Sequence, residues 1–174
     1  QEGIFDAFTA ATGAKVKVVT GGDSGVLVSK AILTAGNPEG DVLWGLDNTL
    51  LSRAQKAELL TSYEPVDYGD ICVNYDKQWF ASRNVAPPTS LEDLALPRYK
   101  NLFVTQDPVA SSPGLGFLLG TIAHFGAKNW QNYWKSLKTN GVHIASDWTA
   151  AYTIDFSGSS GKGKYPLVVS YGSS

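Results

Sequence analysis

The chain has 174 residues and a mass of 18.6 kDa, and 43% of its residues are apolar, which suffices for one domain, or two small ones, with a real core. Its formal net charge of −2 lacks the basic excess typical of nucleic-acid-binding proteins, so we expect no nucleic-acid partner. A single cysteine, Cys72, excludes an internal disulfide and a cysteine-rich metal cluster. No signal peptide and no apolar run of membrane-spanning length is visible, and Met is absent even at position 1, so we expect a trimmed chain.

Short apolar segments alternate with amphipathic ones along the chain, which predicts an α/β fold with largely parallel sheets. The first 60 residues of the chain predict two strands, at 15–20 and 41–46. They also predict two helices: one at 24–33 with Ser24 as its cap, and one that Asp47 or Asn48 caps and that extends to Leu60. The remainder predicts strands at 71–75, 102–105, 142–145 and 167–171, and helices at 114–125, 129–139 and 149–156. A capping box of Thr89 and Glu92 predicts one more short helix that ends near Ala95.

The composition changes at two places along the chain. The segment 63–65 (YEP) separates a helix from an apolar strand, and we place a domain boundary there. The segment 157–164 (SGSSGKGK) is of low complexity, and its composition predicts a flexible, exposed loop.

Two motifs suggest enzymes, but their context does not support this. Gly158, Gly163 and Lys164 match the start of a phosphate-binding loop, yet Tyr165 stands where Ser or Thr must bind magnesium, and the loop precedes a strand. The segment 22–25 (GDSG) resembles the nucleophile segment of serine proteases, but its serine precedes His124, the reverse of the order in that family. We expect no catalytic residues.

Metal binding is also disfavoured by the sequence. His124 and His143 are the only histidines, and neither has a carboxylate or cysteine at metal-ligand spacing. We interpret His124 as a half-buried helix residue and expect no metal.

Most aromatic residues follow the spacing of a protein core. Trp130, Tyr133, Trp134 and Leu137 recur at i, i+3, i+4 and i+7, which predicts the buried stripe of one helix. Trp44 lies within the predicted strand 41–46, and we interpret it as a core residue as well.

The segment 105–116 (TQDPVASSPGLG) has the features of an anion-binding site. A strand ends, a hydroxyl-rich loop follows, and a helix begins near Pro113 with glycines in its first turn. Bare amides, the positive end of a helix dipole and the hydroxyls of Ser111 and Ser112 favour an anion there. Ordinary capping by Ser112 is the alternative.

A second strand-to-helix loop carries two aromatic rings. Trp148 precedes the helix, and Tyr152 lies one turn later on the same side. An exposed pair of this kind can stack on a flat ring or contact a cation. Asp47 also follows a predicted strand, and ligands of α/β sheets bind beyond the carboxyl ends of strands.

Taken together, several segments resemble one known family. These are 45–51 (GLDNTLL), 66–70 (VDYGD), 106–108 (QDP), 112–116 (SPGLG), 148–152 (WTAAY) and 167–171 (LVVSY). In this order they resemble the thiamine-binding subunit of bacterial ABC importers, and the resemblance extends over nearly the whole chain.

The resemblance implies a type II periplasmic-binding-protein fold, with two α/β lobes, mixed and mostly parallel sheets, and a ligand in the cleft. The implied function is the extracytoplasmic capture of thiamine or a thiamine phosphate for the membrane permease of an ABC importer, with no cofactor and no chemistry on the ligand. The implied ligand residues are Ser111, Ser112 and Gly114 at the tail, Trp148 and Tyr171 at the rings with Tyr152 in support, and Asp47 at the cleft edge.

The chain departs from the family pattern at both ends, because a first strand and a returning second half are absent. We therefore expect a partial chain, with residues 1–65 as an incomplete first lobe and residues 66–174 as a nearly complete second lobe. The alternatives are a binder of the same fold for ferric iron, a polyamine or an oxyanion, and a serine hydrolase that uses Ser24 or Ser112.

Overall fold

The structure, a computed structural model, describes residues 3–174. Its α-helices are α1 (Asp6–Thr12), α2 (Ser24–Leu33), α3 (Asn48–Lys56), α4 (Lys77–Arg83), α5 (Ser112–Phe125) and α6 (Trp130–Thr139). Two short 3-10 helices span Glu92–Ala95 and Pro97–Tyr99, and a π-helix spans Thr149–Asp155. The strands are β1 (Ile71–Tyr75), β2 (Phe103–Gln106), β3 (His143–Ala145) and β4 (Leu167–Tyr171).

The four strands form one mixed sheet in the order β1-β4-β2-β3. β2 runs parallel to β3 on one side and to β4 on the other, whereas β1 runs antiparallel to β4, with Ile71 opposite Tyr171. The carboxyl ends of β2, β3 and β4 therefore lie at one edge of the sheet, which we call the carboxyl edge. The α/β architecture with a mixed, mostly parallel sheet, predicted from the sequence, is confirmed.

Both faces of the two central strands are covered, so β2 is buried along its whole length and β4 along all of it except its last residue. Successive side chains of a strand point to opposite faces. Leu167 and Val169 join a core with helices α4, α5 and α6, whereas Val168 packs with Ala151 and Phe156 beneath the π-helix. All of β2 is likewise buried.

Most of the aromatic stripe predicted for α6 belongs to the larger of these cores, but Trp130, the first residue of the helix, is only half-buried and does not pack in it. Tyr133 and Leu137 are buried, and Trp134 packs against them. The indole Nε1 of Trp134 donates a hydrogen bond to Thr121 Oγ1 of α5 at 2.9 Å, and this bond ties the two helices together.

Two predicted strands do not form. Residues 15–20 and 41–46 have no regular secondary structure, although both carry strand-like sequences. A strand requires hydrogen bonds from a neighbouring strand, and within residues 3–174 neither segment is paired. Trp44, which we expected in the core, is accordingly 73% exposed.

Local backbone geometry explains several differences in helix boundaries. α3 ends at Lys56 rather than near Leu60, because Glu58 adopts a positive φ of 54° that ends the helical path. α2 begins as predicted, but its cap is Asp23, whose Oδ1 accepts from the Ser24 amide. α1 and α4 were not predicted, and Asp76 caps the latter by accepting from the Trp79 amide.

The capping box predicted for Thr89 and Glu92 forms with Asp93 in place of Glu92. Asp93 accepts hydrogen bonds from the amide and hydroxyl of Thr89, and the Asp93 amide donates to Ser90 Oγ. Glu92 instead contacts the ring of His124. The short turn that follows is a 3-10 helix ending at Ala95.

Truncation of Leu137, which is 1% exposed, tests the position of the larger core. We expect Leu137→Ala to lower the free energy of unfolding by about 2–5 kcal/mol, because a buried leucine leaves a cavity. The matched control is Leu119→Ala, since Leu119 is 45% exposed on α5. Urea unfolding followed by circular dichroism measures both, and equal effects would contradict the assigned core.

Candidate ligand-binding site

The carboxyl edge of the sheet brings together three of the segments predicted to bind a ligand. The loop with Ser111 follows β2, Trp148 follows β3, and Tyr171 is the last residue of β4. The indole Nε1 of Trp148 donates to Ser170 Oγ at 2.9 Å, which fixes the ring beside the end of β4. Parallel pairing thus places side chains from three distant parts of the sequence at one edge.

The amino end of α5 has polar groups that the protein itself does not use. Ser111 occupies the cap position, yet its side chain makes no capping hydrogen bond. The hydroxyls of Ser111 and Ser112 are buried, and neither has a hydrogen-bond partner among the residues that the structure describes. Capping by Ser112, the alternative considered from the sequence, is therefore wrong.

Gly114 allows α5 to begin this close to the sheet. A Cβ atom at this position would lie 2.6 Å from the backbone oxygen of Gln106. Because that neighbour is backbone, only glycine fits without displacing the helix. Unpartnered hydroxyls at the positive end of a fourteen-residue helix can bind an anionic or hydroxyl group.

The aromatic pair lies at the neighbouring strand end, and its two rings contact each other directly. The rings of Trp148 and Tyr152 are stacked, with centroids 5.0 Å apart and an interplanar angle of 7°. Both residues are half-buried rather than exposed, and the helix that carries Tyr152 is a π-helix rather than an α-helix. A rigid, partly accessible stack of this kind can bind a flat or cationic ring.

Acidic side chains surround the phenol of Tyr171. Burial, and then the carboxylates of Asp47, Asp23 and Asp67, raise the pKa of Tyr171 to about 12. The phenol is therefore neutral at physiological pH and remains a hydrogen-bond donor. Asp47 also caps α3, since its Oδ1 accepts from the amide and the hydroxyl of Thr49 at 2.9 and 2.6 Å.

Sequence reasoning missed the structural role of Asp23. One carboxylate oxygen of Asp23 caps α2, and the other accepts from the backbone amide of Trp148 at 3.0 Å. Two residues later, the Gly25 amide donates to the oxygen of Ala110 at 3.0 Å. The start of α2 thus contacts both of the loops predicted to bind a ligand, so these loops lie on the same side of the sheet.

The signal for this contact was present in the GDSG segment, which we had compared with a protease motif. A Cβ atom on Gly25 would lie 2.2 Å from the oxygen of Val109, so glycine is required there for packing rather than chemistry. An acidic cap followed by a glycine in the first helical turn also permits a close approach to a loop.

Ser24 and His124, which the protease-like motif would pair, have other partners, and so does His143. Ser24 Oγ donates to the oxygen of Gly45 at 2.8 Å. His124 Nε2 lies 2.7 Å from Glu92, and His143 Nε2 lies 3.1 Å from Asp155. His124 is exposed near the end of α5 rather than half-buried. Within residues 3–174, no group of three His, Cys, Asp or Glu residues could hold a metal ion.

A pair of serine variants tests whether the free hydroxyls at α5 are structural. In the absence of ligand, Ser112→Ala should leave the free energy of unfolding unchanged or raise it, because it removes a buried group without a partner. Ser170→Ala should lower it by about 1 kcal/mol, because it removes the acceptor of the Trp148 indole. Chemical denaturation measures both, and a large loss of stability in Ser112→Ala would show that Ser112 has a structural partner.

The acidic surroundings of Tyr171 predict a pH effect with a defined sign. Because folding raises the pKa from 10.0 to about 12, the stabilisation from this phenol is complete below pH 10.0 and is lost as the pH rises towards 12. Asp47→Asn should lower the pKa of Tyr171, whereas Asp41→Asn, at an exposed site, should not. Tyrosinate absorbance, with Tyr171→Phe variants subtracted, measures this, and equal midpoints in both Asn variants would contradict the arrangement.

Comparisons with known proteins place this arrangement in a family. The family model described as "Bacterial extracellular solute-binding protein" matches residues 43–174. The thiamine-binding periplasmic proteins of Salmonella typhimurium and Escherichia coli are each 31% identical to the chain over 95% of its length and 53% of theirs. A putative 2-aminoethylphosphonate-binding periplasmic protein of Salmonella typhimurium is 29% identical over 72% of the chain and 40% of its own length.

Solved structures agree with the sequence comparisons. A structure titled "Periplasmic thiamin binding protein" matches 95% of this chain and 55% of its own, with a TM-score of 0.78 and 28% identity. The periplasmic binding protein AfuA from Actinobacillus pleuropneumoniae, with a TM-score of 0.75, 17% identity, and coverage of 95% and 58%, shows the shared fold. The periplasmic-binding-protein-like fold expected from the motifs is therefore confirmed.

The chain spans about half the length of the curated relatives it matches. None of the helices within residues 3–174 is both long and apolar enough to cross a membrane. The resemblance carried by the sequence motifs is confirmed by these relatives. Because the family model matches most of its residues, the chain belongs to the bacterial extracellular solute-binding protein family.

Proposed function

We propose that the protein captures thiamine or a thiamine phosphate outside the cytoplasm and delivers it to the membrane permease of an ABC importer, with no chemistry on the ligand. The observation that carries this proposal is the pairing of two buried, unpartnered hydroxyls at α5 with an ordered aromatic stack at the next strand end. Membership of an extracellular family confirms the extracytoplasmic location expected from the sequence.

The chemistry of thiamine matches the three parts of the site. Its thiazolium ring is a permanent cation, its aminopyrimidine is flat and its tail ends in a hydroxyl or phosphate. The stacked rings of Trp148 and Tyr152 suit the flat and cationic rings. The carboxylates around Tyr171 favour a cation on that side.

The tail of the ligand has a separate place in this proposal. Ser111 and Ser112 donate their hydroxyls, and the positive end of α5, which Gly114 allows to lie close to the sheet, favours the negative charge of a phosphate. Trp148 and Tyr171 flank the rings, Tyr152 supports Trp148, and Asp47 contributes negative charge at the edge of the cleft.

The same proposal includes the organisation of the chain. Residues 1–65 contribute part of one lobe, with α2 and α3, and residues 66–174 contribute most of the other, with the sheet. The contacts of Asp23 with Trp148 and of Gly25 with Ala110 join these two parts at the ligand loops. Closure of such lobes is the usual way in which ligand is enclosed.

One competing ligand class is suggested by a specific relative. One of the similar proteins is named as a putative 2-aminoethylphosphonate-binding protein. The phosphonate of such a ligand would also suit the hydroxyls at α5, and its ammonium would suit the carboxylates around Tyr171. Such a ligand has no flat ring, so only its ammonium would contact the Trp148–Tyr152 stack and no ring would lie against it. The aromatic stack therefore favours thiamine.

Isothermal titration calorimetry of the complete translated product of this gene tests the proposal. Thiamine and thiamine monophosphate should bind saturably at a one-to-one ratio, whereas 2-aminoethylphosphonate, ferric iron and spermidine should give much weaker heats. An absence of binding by all thiamine forms would refute the proposed function. Tight binding of one of the other ligands alone would assign the site to that ligand.

Removal of the indole ring of Trp148 tests the contribution of a single residue to ligand binding. Trp148→Ala should weaken thiamine binding by about 1–2 kcal/mol, because a partly desolvated cation loses its contact with the indole face. Trp130→Ala is the matched control, since Trp130 follows the carboxyl end of α5, whereas the proposed site lies at its amino end. The backbone amide of Trp130 donates to the oxygen of Gly126. Titration measures both affinities, and equal losses would remove Trp148 from the binding residues.

A further inference from the structure

The glycine-rich segment 157–164, which we call the glycine loop, packs tightly against the end of the π-helix. Its composition predicted a flexible loop, and many of its residues are indeed exposed. Its backbone, however, is anchored: the Gly163 amide donates to the oxygen of Phe156 at 3.1 Å, and the Tyr165 amide donates to the oxygen of Asp155 at 3.0 Å. The loop therefore closes over the last turn of the helix.

Two glycines of this loop have no space for a side chain. A Cβ atom on Gly161 would lie 2.0 Å from the oxygen of Thr153, and one on Gly163 would lie 2.1 Å from the oxygen of Asp155. Both neighbours are backbone atoms of the π-helix, so a methyl group at either position must displace the loop or the helix.

A column of three aromatic rings connects the glycine loop with the ligand site. Trp148 stacks on Tyr152, and Tyr152 contacts Phe156 at 5.5 Å between ring centroids. Phe156 is buried, and a Cβ atom on Gly158 would lie 2.6 Å from its ring. The first ring of the column is at the ligand site, and the last ring is beneath the loop.

The loop is also anchored from the opposite side. Ser157 Oγ donates to Asp76 Oδ2 at 2.6 Å, while Oδ1 of the same carboxylate caps α4. Burial opposes ionisation of Asp76, but the hydrogen bonds from Ser157 and from the amides of Trp79 and Gln78 hold its pKa below the ordinary value. The anchor is therefore a carboxylate at neutral pH.

We propose that Gly161 and Gly163 are positioning residues for ligand recognition, because they allow the glycine loop to hold the helix after Trp148 in its π winding. A π-helix is rare and persists only where its surroundings enforce it. A side chain at either glycine would force the last turn of the π-helix into another helical winding. The rings of Tyr152 and Trp148 would then lose their stacked arrangement. The identity of the ligand in this inference rests on the proposed function. The effect of the two glycines on the position of Trp148 does not depend on it.

The test uses Gly161→Ala and Gly163→Ala, with Gly120→Ala as the matched control because a Cβ atom at that position meets nothing within 4 Å. The emission of Trp148, obtained by subtracting the spectrum of a Trp148→Phe variant in each background, should shift in both loop variants. The Kd for thiamine should rise about fivefold or more in the same variants. Gly120→Ala should change neither, and folded loop variants with unchanged emission and Kd would overturn the inference.

Hydrogen exchange in the unaltered protein provides a measurement that does not depend on how well the variants fold. The amides of Gly163 and Tyr165 should exchange as slowly as those of β4, and exchange at the rate of an open loop would overturn the inference. If the unaltered protein does not bind thiamine, the proposed function fails. The emission of Trp148 then decides by itself whether the loop positions the ring.

Discussion

The parallel pairing of β2 with both β3 and β4 is the constraint on which the rest of the site depends. Because parallel strands end at the same edge, the segments after each of them meet although they are far apart in sequence. Ser111, Trp148 and Tyr171 converge for this reason. The antiparallel β1 completes the sheet, with Ile71 opposite Tyr171, and contributes no further carboxyl end to this edge.

The carboxyl edge of the sheet contains buried polar groups that do not contribute hydrogen bonds to the fold. The side-chain oxygens of Thr105, Gln106, Ser111 and Ser112 are buried, and none has a partner among the described residues. Burial of such groups without hydrogen bonds is unfavourable, and protein interiors generally avoid it. Their concentration within eight residues at one strand end distinguishes this edge from the apolar cores on the two faces of the sheet. In the proposed function, the ligand tail would supply the partners that the hydroxyls of Ser111 and Ser112 lack.

Trp148 is held by contacts from two other elements as well as from the helix that it caps. The Trp148 amide donates to Asp23, its indole donates to Ser170, and its ring is stacked on Tyr152. Each contact comes from a different element, so together they restrain the ring to one orientation. Such preorganisation lowers the entropic cost of binding a flat ring.

Local signals in the sequence determined much of this protein: the bounds of α2, β1 and β4, the buried positions Tyr133 and Leu137 of α6, and the residue types of the two loops predicted to bind a ligand. Those features depend on hydrophobic periodicity and on capping, which act over a few neighbouring residues. The tertiary structure alone decided that residues 41–46 are not a strand, because strand formation needs a partner from elsewhere in the chain. It also decided that Asp23 reaches Trp148, and that the loop around Gly163 closes on a π-helix. Contacts between residues distant in sequence have no local pattern, since they arise only when packed elements bring the backbone together.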